Sequence, residues 1–501
     1  MLISQDKIRL LILSLVILVA VFFRFWHIRD YVVFLGDEGR DMIIMRDIFI
    51  NKHLPFLGPS ASVGGFYLGP IYYWMAAPFL LFWRFDPAGP AYFVAIIGTL
   101  TVILLYKFLK ETAGFAPAIL ATLLYATAPL IVRYSRSSWN PNPLPFFSLL
   151  MIYLIYKGIK GKKNLFFIGA GACLGIAIQL HYLAVILFAI AGLIILVNAN
   201  YKRWYKIAAF SIIGFLITFS PFLVFEVRHN FPNFRTILEF VTRGSTTGFK
   251  TAHFVWLISN FGNIFLEEIS ALKGTLLTKI AFWLISFSSI VGIFFYRKDR
   301  EKKLIFSISI IWFFGGLLGL RFYTGQIFDY YFGFMFPAPF LLAGLIFSII
   351  WQNRYLKFTA IIIMLFSTMY FIFNGFYREP PNRLIEQTEK ISDFVIERSD
   401  NKPFNFALIS DHNSDHAYRY FLELKKHAPI ELETVITEQL IVICEAKDCS
   451  PLGNAIWEIA GFGRGEIAGE WELPQYGFKI FRLVHWPGAP SPAGKPAIKG
   501  G

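Results

Sequence analysis

Charge is scarce in this chain. Only 16% of its 501 residues are charged, against 56% hydrophobic and 18% aromatic. Fifty-six Phe beside so few charges exclude an ordinary soluble protein. Apolar runs of about 17–22 residues, separated by short basic loops, read as a multi-pass membrane protein. The net charge is +14, but Lys and Arg cluster between the apolar runs. That is the pattern of membrane topology and not of a phosphate-tracking patch, so no nucleic acid is expected as a partner. Cysteine is scarce too, and three residues say little about redox compartment. Cys173 lies in an apolar run and reads as packing. Cys444 and Cys449 are close enough to pair if their segment is extracytoplasmic. The first run follows Lys7 and Arg9 but lacks an A-x-A-like site behind it, which makes it an uncleaved span.

Eleven spans are expected, at 8–26, 91–108, 115–132, 143–156, 165–180, 183–198, 207–225, 279–296, 303–320, 331–351 and 357–376. The stretch FYLGPIYYWMAAPFLLFW at 66–83 is the awkward one, broken by Gly69, Pro70 and Pro78 and loaded with interface-loving Tyr and Trp. Leaving it on the outer surface puts YKFLKE, KGIKGKK, YKRWYK, RKDREKK and NRYLK in the cytoplasm without exception. Making it a span would move all five outside, against the positive-inside rule. The expectation is therefore a multi-pass protein of the cell (plasma) membrane, N-terminus cytoplasmic and C-terminus extracytoplasmic. Residues 1–376 form the transmembrane domain, with a first outer loop at 27–90. From 377 to 486 the composition turns ordinary. Helices at 382–398, 414–426 and 452–460 alternate with strands at 404–410, 439–444 and 478–484, predicting a small α/β domain. The fold class is mainly α, a polytopic helical bundle with that domain appended. The Pro/Gly-rich tail 487–501 reads as disordered.

In the first outer loop, FLGDEGRDM places Asp37 and Glu38 beside Arg40, directly after the first span. The plain reading is a solvated loop with Asp37 capping a helix that starts near Gly39. But Arg133 and Arg136 lie in another loop of the same face. Carboxylates and guanidiniums at a membrane mouth suit a substrate that is part lipid, part phosphate and part hydroxyl-rich. His181, near the outer end of a span, reads as packing or as a hydrogen-bond partner for sugar or phosphate. Arg321 reads as an interface anchor or a phosphate ligand. DHNSDH spaces His412 and His416 four apart, as a helical metal site would; with Asp411 and Asp415 it reads better as the turn opening the next helix. GFGRGEIAG at 461–469 follows no expected strand and lacks the Lys-Ser/Thr of a phosphate loop.

The acidic D-E-x-R after the first span, followed by an outer G-G-x-Y-x-x-P-x-x-Y-W, resembles the first extracytoplasmic loop of the GT-C glycosyltransferases. The matching residues are Asp37, Glu38, Arg40, Gly64, Gly65, Tyr67, Pro70, Tyr73 and Trp74. PLIVRYSRSSWNPN at 129–142 and DYYFGFMFPAPFLL at 329–342 are also similar to the protein O-mannosyltransferase and lipid A aminoarabinose transferase branch. The resemblance covers roughly residues 1–376 and implies inverting transfer of a sugar from a polyprenyl phosphate carrier to an acceptor hydroxyl of protein, lipid or glycan on the outer face. Asp37 would be the catalytic carboxylate. Glu38 would orient the loop or the acceptor, and Arg40 would keep Asp37 ionised. Placement beside the membrane would partly desolvate Asp37 and strengthen it as a base. Arg40, Tyr67, Tyr73, Arg133, Arg136, Asn140, His181 and Arg321 are the candidate substrate contacts, Arg136 and Arg321 first for the phosphate. The chain departs from the branch at Leu68 and Gly69, where the aminoarabinose transferases carry a Lys, and at Asn140, where an acid is common. A divalent cation (Mg, Mn or Zn) is a candidate cofactor without an assigned ligand set. A flippase for lipid-linked glycans is the rival reading, against which stand the missing internal repeats and the gathering of charge at one face. A sensor or assembly protein built on the α/β domain leaves the polar first loop unexplained.

Overall fold

The computed structural model describes residues 4–243, 254–323, 325–446, 449–487 and 494. The chain divides into two compact units: residues 1–28, 54–82 and 89–380 form one, and residues 29–53, 83–88 and 381–501 the other.

The first unit is helical. Among the described residues seven helices are long and apolar enough to cross a bilayer: Gln5–Phe25, Ala88–Ala113, Leu144–Gly161, Tyr201–Arg228, Leu276–Phe295, Arg300–Phe322 and Arg354–Arg378. Asp329–Met335 and Ala338–Ile350 make an eighth if taken as one span bent by 52°. The other three expected spans are shorter apolar helices, Phe115–Thr127, Leu165–Leu180 and Tyr182–Asn198. One break has a plain cause. The run at 115–132 stops at Ala128 because Pro129, which opens the helix Pro129–Tyr134, lacks the N–H a continuous helix needs. Ile71–Phe82 has 12 residues, about 18 Å of helix against a hydrocarbon core of about 30 Å. Phe287, Phe294 and Phe366 are 67%, 68% and 75% exposed, which only a hydrocarbon solvent tolerates on so many helices at once. This is a multi-pass membrane protein.

Without a hydrophobic effect between helices in lipid, close packing has to hold them. Leu165–Leu180 and Trp204–Arg228 do this through small residues. A Cβ on Gly171 would fall 1.9 Å from the Ser211 carbonyl, and one on Gly214 would fall 1.8 Å from that of Ile168. Thr218 Oγ1 then donates to Ala172 O (3.0 Å), and Gln179 Nε2 to Thr218 O (2.8 Å).

The second unit is built on a four-stranded sheet: β1 Asn405–Ile409, β2 Gln439–Cys444, β3 Gly465–Leu473 and β4 Phe478–His485, in the order β1-β2-β4-β3. β1 and β2 run parallel and the other pairs antiparallel. NFALI and QLIVIC are buried along their whole length, because apolar layers cover both faces. Ile391, Val395, Tyr418 and Leu422 form one layer, and Leu432, Ile436, Ile459 and Phe462 the other. The expected helices at 382–398 and 414–426 are Leu384–Arg398 and His416–Leu424, and the one at 452–460 is shifted to Trp457–Phe462. β3 was not expected. It lies where GFGRGEIAG was weighed as a phosphate loop, its alternation interrupted by a bulge at Ile467/Gly469. Cys444 and Cys449 form a disulfide. The tail expected at 487–501 lies, apart from Pro487 and Gly494, outside the described residues. The acidic helix Gly36–Ile50 belongs to this second unit.

Candidate functional site

The candidate residues fall into two groups. In the second unit, the acidic helix starts at Gly36, three residues earlier than expected, and Asp37 stands in its first turn rather than at its cap. The reciprocal capping is done by Glu38, whose Oε2 accepts from Leu35 N at 3.1 Å. Asp37 is the exposed member of the pair and Glu38 the buried one. The desolvation expected at Asp37 therefore falls on its neighbour. Burial pushes the Glu38 carboxyl up to about 7, with Asp41 and Asp37 adding to the rise and the Leu35 N–H opposing it. Arg40 donates to Asp37 Oδ1 at 2.9 Å and forks onto the buried Asp41 through Nε (3.1 Å) and Nη2 (2.9 Å). The guanidinium thus fixes the face on which Asp37 stands, and supplies the opposite charge the sequence assigned to it.

In the first unit, residues 58–68 form a short hairpin closed by Gly58 N–Leu68 O (2.8 Å) and Ala61 N–Phe66 O (2.8 Å), with Gly64 and Gly65 at positive φ at its tip. Tyr67, nearly half exposed, is held by its main chain: its N–H donates to Asn233 Oδ1 (2.8 Å). Asn233 Nδ2 in turn donates to the fully buried Glu226 (2.8 Å). Tyr73 is buried, beside Tyr72, whose hydroxyl meets Ser138 Oγ at 2.8 Å.

Arg133 and Arg136, three residues apart, lead different lives. Arg133 is exposed and pairs with Asp329, which also accepts from the Tyr134 hydroxyl. Arg136 is buried and donates to the carbonyls of Phe23 and Trp26, both at 2.7 Å, with its guanidinium 3.7 Å from the centre of the Phe376 ring. It braces the end of the first span. Asn140 donates to Leu180 O at 2.7 Å. His181 is buried; its Nδ1 accepts from Leu183 N at 3.2 Å, which leaves the proton on Nε2. The ring stacks on Tyr182 and meets Tyr330 and Tyr331. Arg321 sits half-buried in the 3-10 turn Leu320–Phe322.

Three participants escaped the sequence reading. Asp329 was visible as the acid opening the last bent span, yet its partner, 196 residues away, was not. Glu226 stands just beyond an apolar run and signalled nothing. Asn413 lay inside DHNSDH, where attention went to the histidines; His416 in fact bonds Ser414, and Asp415 pairs with Arg419. Among the described residues no group of three or more His, Cys, Asp or Glu could hold a metal ion.

Compared along its length, the chain is similar to ArnT from Cupriavidus metallidurans bound to undecaprenyl phosphate. The identity is 10%, with a TM-score of 0.62, covering 96% of this chain and 98% of that one. It is also similar to the oligosaccharyltransferase AglB from Archaeoglobus fulgidus in complex with an inhibitory peptide and a dolichol-phosphate. There the identity is 14%, the TM-score 0.54, and the coverage 88% and 70%. The fold is GT-C. Within this GT-C chain, residues 68–225 match the model of the dolichyl-phosphate-mannose-protein mannosyltransferase family. That stretch of the GT-C bundle holds Tyr73, Arg133, Arg136, Asn140 and His181, and excludes the acidic helix. No curated protein matches the chain by sequence.

Proposed function

We propose that this protein is an inverting membrane glycosyltransferase that moves a sugar from a polyprenyl phosphate to an acceptor hydroxyl on the extracytoplasmic face of the plasma membrane. The observation that carries the reading is the GT-C fold over nearly the whole chain, combined with an exposed Asp37 at the head of a helix where the resemblance requires the catalytic carboxylate. In the reaction the acceptor oxygen attacks the anomeric carbon and the bond from that carbon to the phosphate oxygen breaks. The proton of the acceptor passes to Asp37, and the electron pair leaves with the polyprenyl phosphate. Arg40, hydrogen-bonded to Asp37, keeps it aimed. A fixed cation stabilises the charge that grows on the leaving phosphate. Arg136 is buried against main-chain carbonyls, so the more accessible Arg321 and Arg133 are assigned this role. His181 Nε2–H and Tyr67 are assigned to the sugar or phosphate, and Tyr73 and Asn140 to the walls behind them. Residues 1–376, apart from the acidic helix, serve as the catalytic body. The Cys444–Cys449 disulfide supports an oxidising, extracytoplasmic side for the C-terminal domain.

The test is purified protein in detergent with polyprenyl phosphate mannose or aminoarabinose and a mixed set of protein, lipid and glycan acceptors. Release of polyprenyl phosphate with a glycosylated acceptor supports the reading. Movement of an intact lipid-linked sugar across vesicles, without cleavage, would replace it with the flippase.

A further inference from the structure

The acidic helix and the C-terminal domain are far apart in sequence and intimate in space. Gly36 and Gly39, three apart, share a helix face. A Cβ on Gly36 would fall 1.9 Å from Ser414 Oγ, and one on Gly39 would fall 2.3 Å from the backbone nitrogen of Ala417. Only glycine lets the helix lie directly on the 414–417 backbone. Asp37, about 100° round the helix from Gly36, is thereby turned away from the domain and left exposed. Contacts just before the helix and near its far end hold it as well. Phe34 packs edge-on against Tyr420 and Phe421, and Arg46 pairs with Glu423.

The first turn is held most specifically. Its leading N–H groups have no partners within the helix. The Gly36 N–H, one residue before Asp37, donates to Asn413 Oδ1 at 2.8 Å. The other end of that amide, Nδ2, donates to both oxygens of Glu445, at 3.1 and 3.2 Å. Glu445 follows β2 directly. Its own N–H donates to Ile409 O at the end of β1, its Oε1 accepts from the Tyr418 hydroxyl at 2.6 Å, and it lies inside the loop closed by Cys444 and Cys449. The end of the sheet, a carboxylate and a carboxamide thus run in line to the peptide next to Asp37. The carboxamide has no freedom to flip, because a carboxylate accepts only from its nitrogen.

We propose that the C-terminal α/β domain is the device that aims Asp37, with Asn413 and Glu445 as positioning residues. This rests on the reading of Asp37 as the base. The experiment uses the full-length protein and compares Asn413→Ala, Asn413→Ser, Glu445→Ala and Glu445→Gln with wild type and with Asp37→Asn. Asn413→Ala and Glu445→Ala should lower kcat about 10–100-fold, the scale of a small misplacement, with KM for the lipid donor within about twofold of wild type. Glu445→Gln, which keeps an acceptor for Asn413 Nδ2, should recover most of the loss. Hydrogen exchange of a peptide covering residues 34–40 should rise in the Ala variants and not in Glu445→Gln. Asn413→Ser, smaller and polar, carries the test if the Ala variant does not fold. An inactive Asp37→Asn beside a wild-type kcat in the Asn413 and Glu445 variants would overturn the proposal and spare the base assignment. A fully active Asp37→Asn would overturn both. Raised exchange with unchanged kcat would make the link a structural clamp only, and that too ends the proposal.

Discussion

The two units solve the same packing problem in different solvents. In the membrane unit, Gly171 and Gly214 bring two apolar helices into backbone contact, and side-chain amides and hydroxyls close the remaining carbonyls. In the sheet unit, Gly36 and Gly39 also bring backbone to backbone, but the partners are a charged first turn and a polar loop. In lipid, close approach is the source of stability, because nothing else draws helices together. In the water-facing unit an apolar sheet core already provides stability, so close approach is free to serve geometry. The comparison teaches that a glycine stripe holds the bundle together in one unit and sets the direction of a carboxylate in the other.

The sharpest way to break this contrast is at the carboxylate. Asp37→Asn, nearly isosteric, should leave the thermal unfolding temperature unchanged and lower turnover about 10²–10⁴-fold, while Glu38→Gln should be milder. Wild-type turnover in Asp37→Asn would leave the acidic pair a structural role only, with Glu38 as its cap.

Glu38 sharpens the contrast by pH. Its carboxyl is raised in the fold from 4.5 to about 7 by burial. A group raised in this way contributes stability that is complete below about pH 4.5 and lost as pH climbs through about 7. The loss approaches about 3 kcal/mol at the alkaline end. Unfolding of the wild type followed between pH 5 and 8 should show this slope, and Glu38→Gln should flatten it. An identical slope in both would place the titration elsewhere.

In the bundle, Gly214→Val should cost folded protein, at the upper end of the about 1–3 kcal/mol typical of overpacking, and should show as a lower detergent melting temperature. The molecules that do fold should keep the KM of the wild type. The smallest effect is expected at Arg136→Lys. It cannot serve both the Phe23 and Trp26 carbonyls with the same planar fork and should lose about 1 kcal/mol, as one weakened buried hydrogen bond would. A large drop in kcat without loss of stability would instead give Arg136 back its phosphate.

Much of the fold was legible because hydropathy is local. Each apolar run became helical, with a break at 115–132 and at 331–351, and β1, β2 and β4 followed from short apolar runs between turn residues. β3 was hidden by the glycines at its start and by its bulge, which blur a two-residue period. The candidate site was legible only as single residues. That Arg133 would meet Asp329, or that Arg136 would turn inward to the first span, depends on pairings between segments more than 100 residues apart. Nothing in RYSRSSWNPNP separates the two arginines. Likewise GDEGR announced its charges and concealed its glycines, whose purpose appears only once Ser414 and Ala417 lie against them.

The order in which the ribosome delivers these pieces has a consequence for biogenesis. The acidic helix ends at Ile50, and the helix it rests on begins at His416. At about 5–20 residues per second of synthesis, tens of seconds separate them, during which every membrane-spanning segment after the first is made. The glycine face waits uncovered all that time. On the proposed assignment a nascent chain holds all its spans before Asp37 is seated, and a message cut short after the last span should yield a protein that is inserted but inert. The proposed aiming of Asp37 is thus delayed until Asn413 and Glu445 have been made and folded against it.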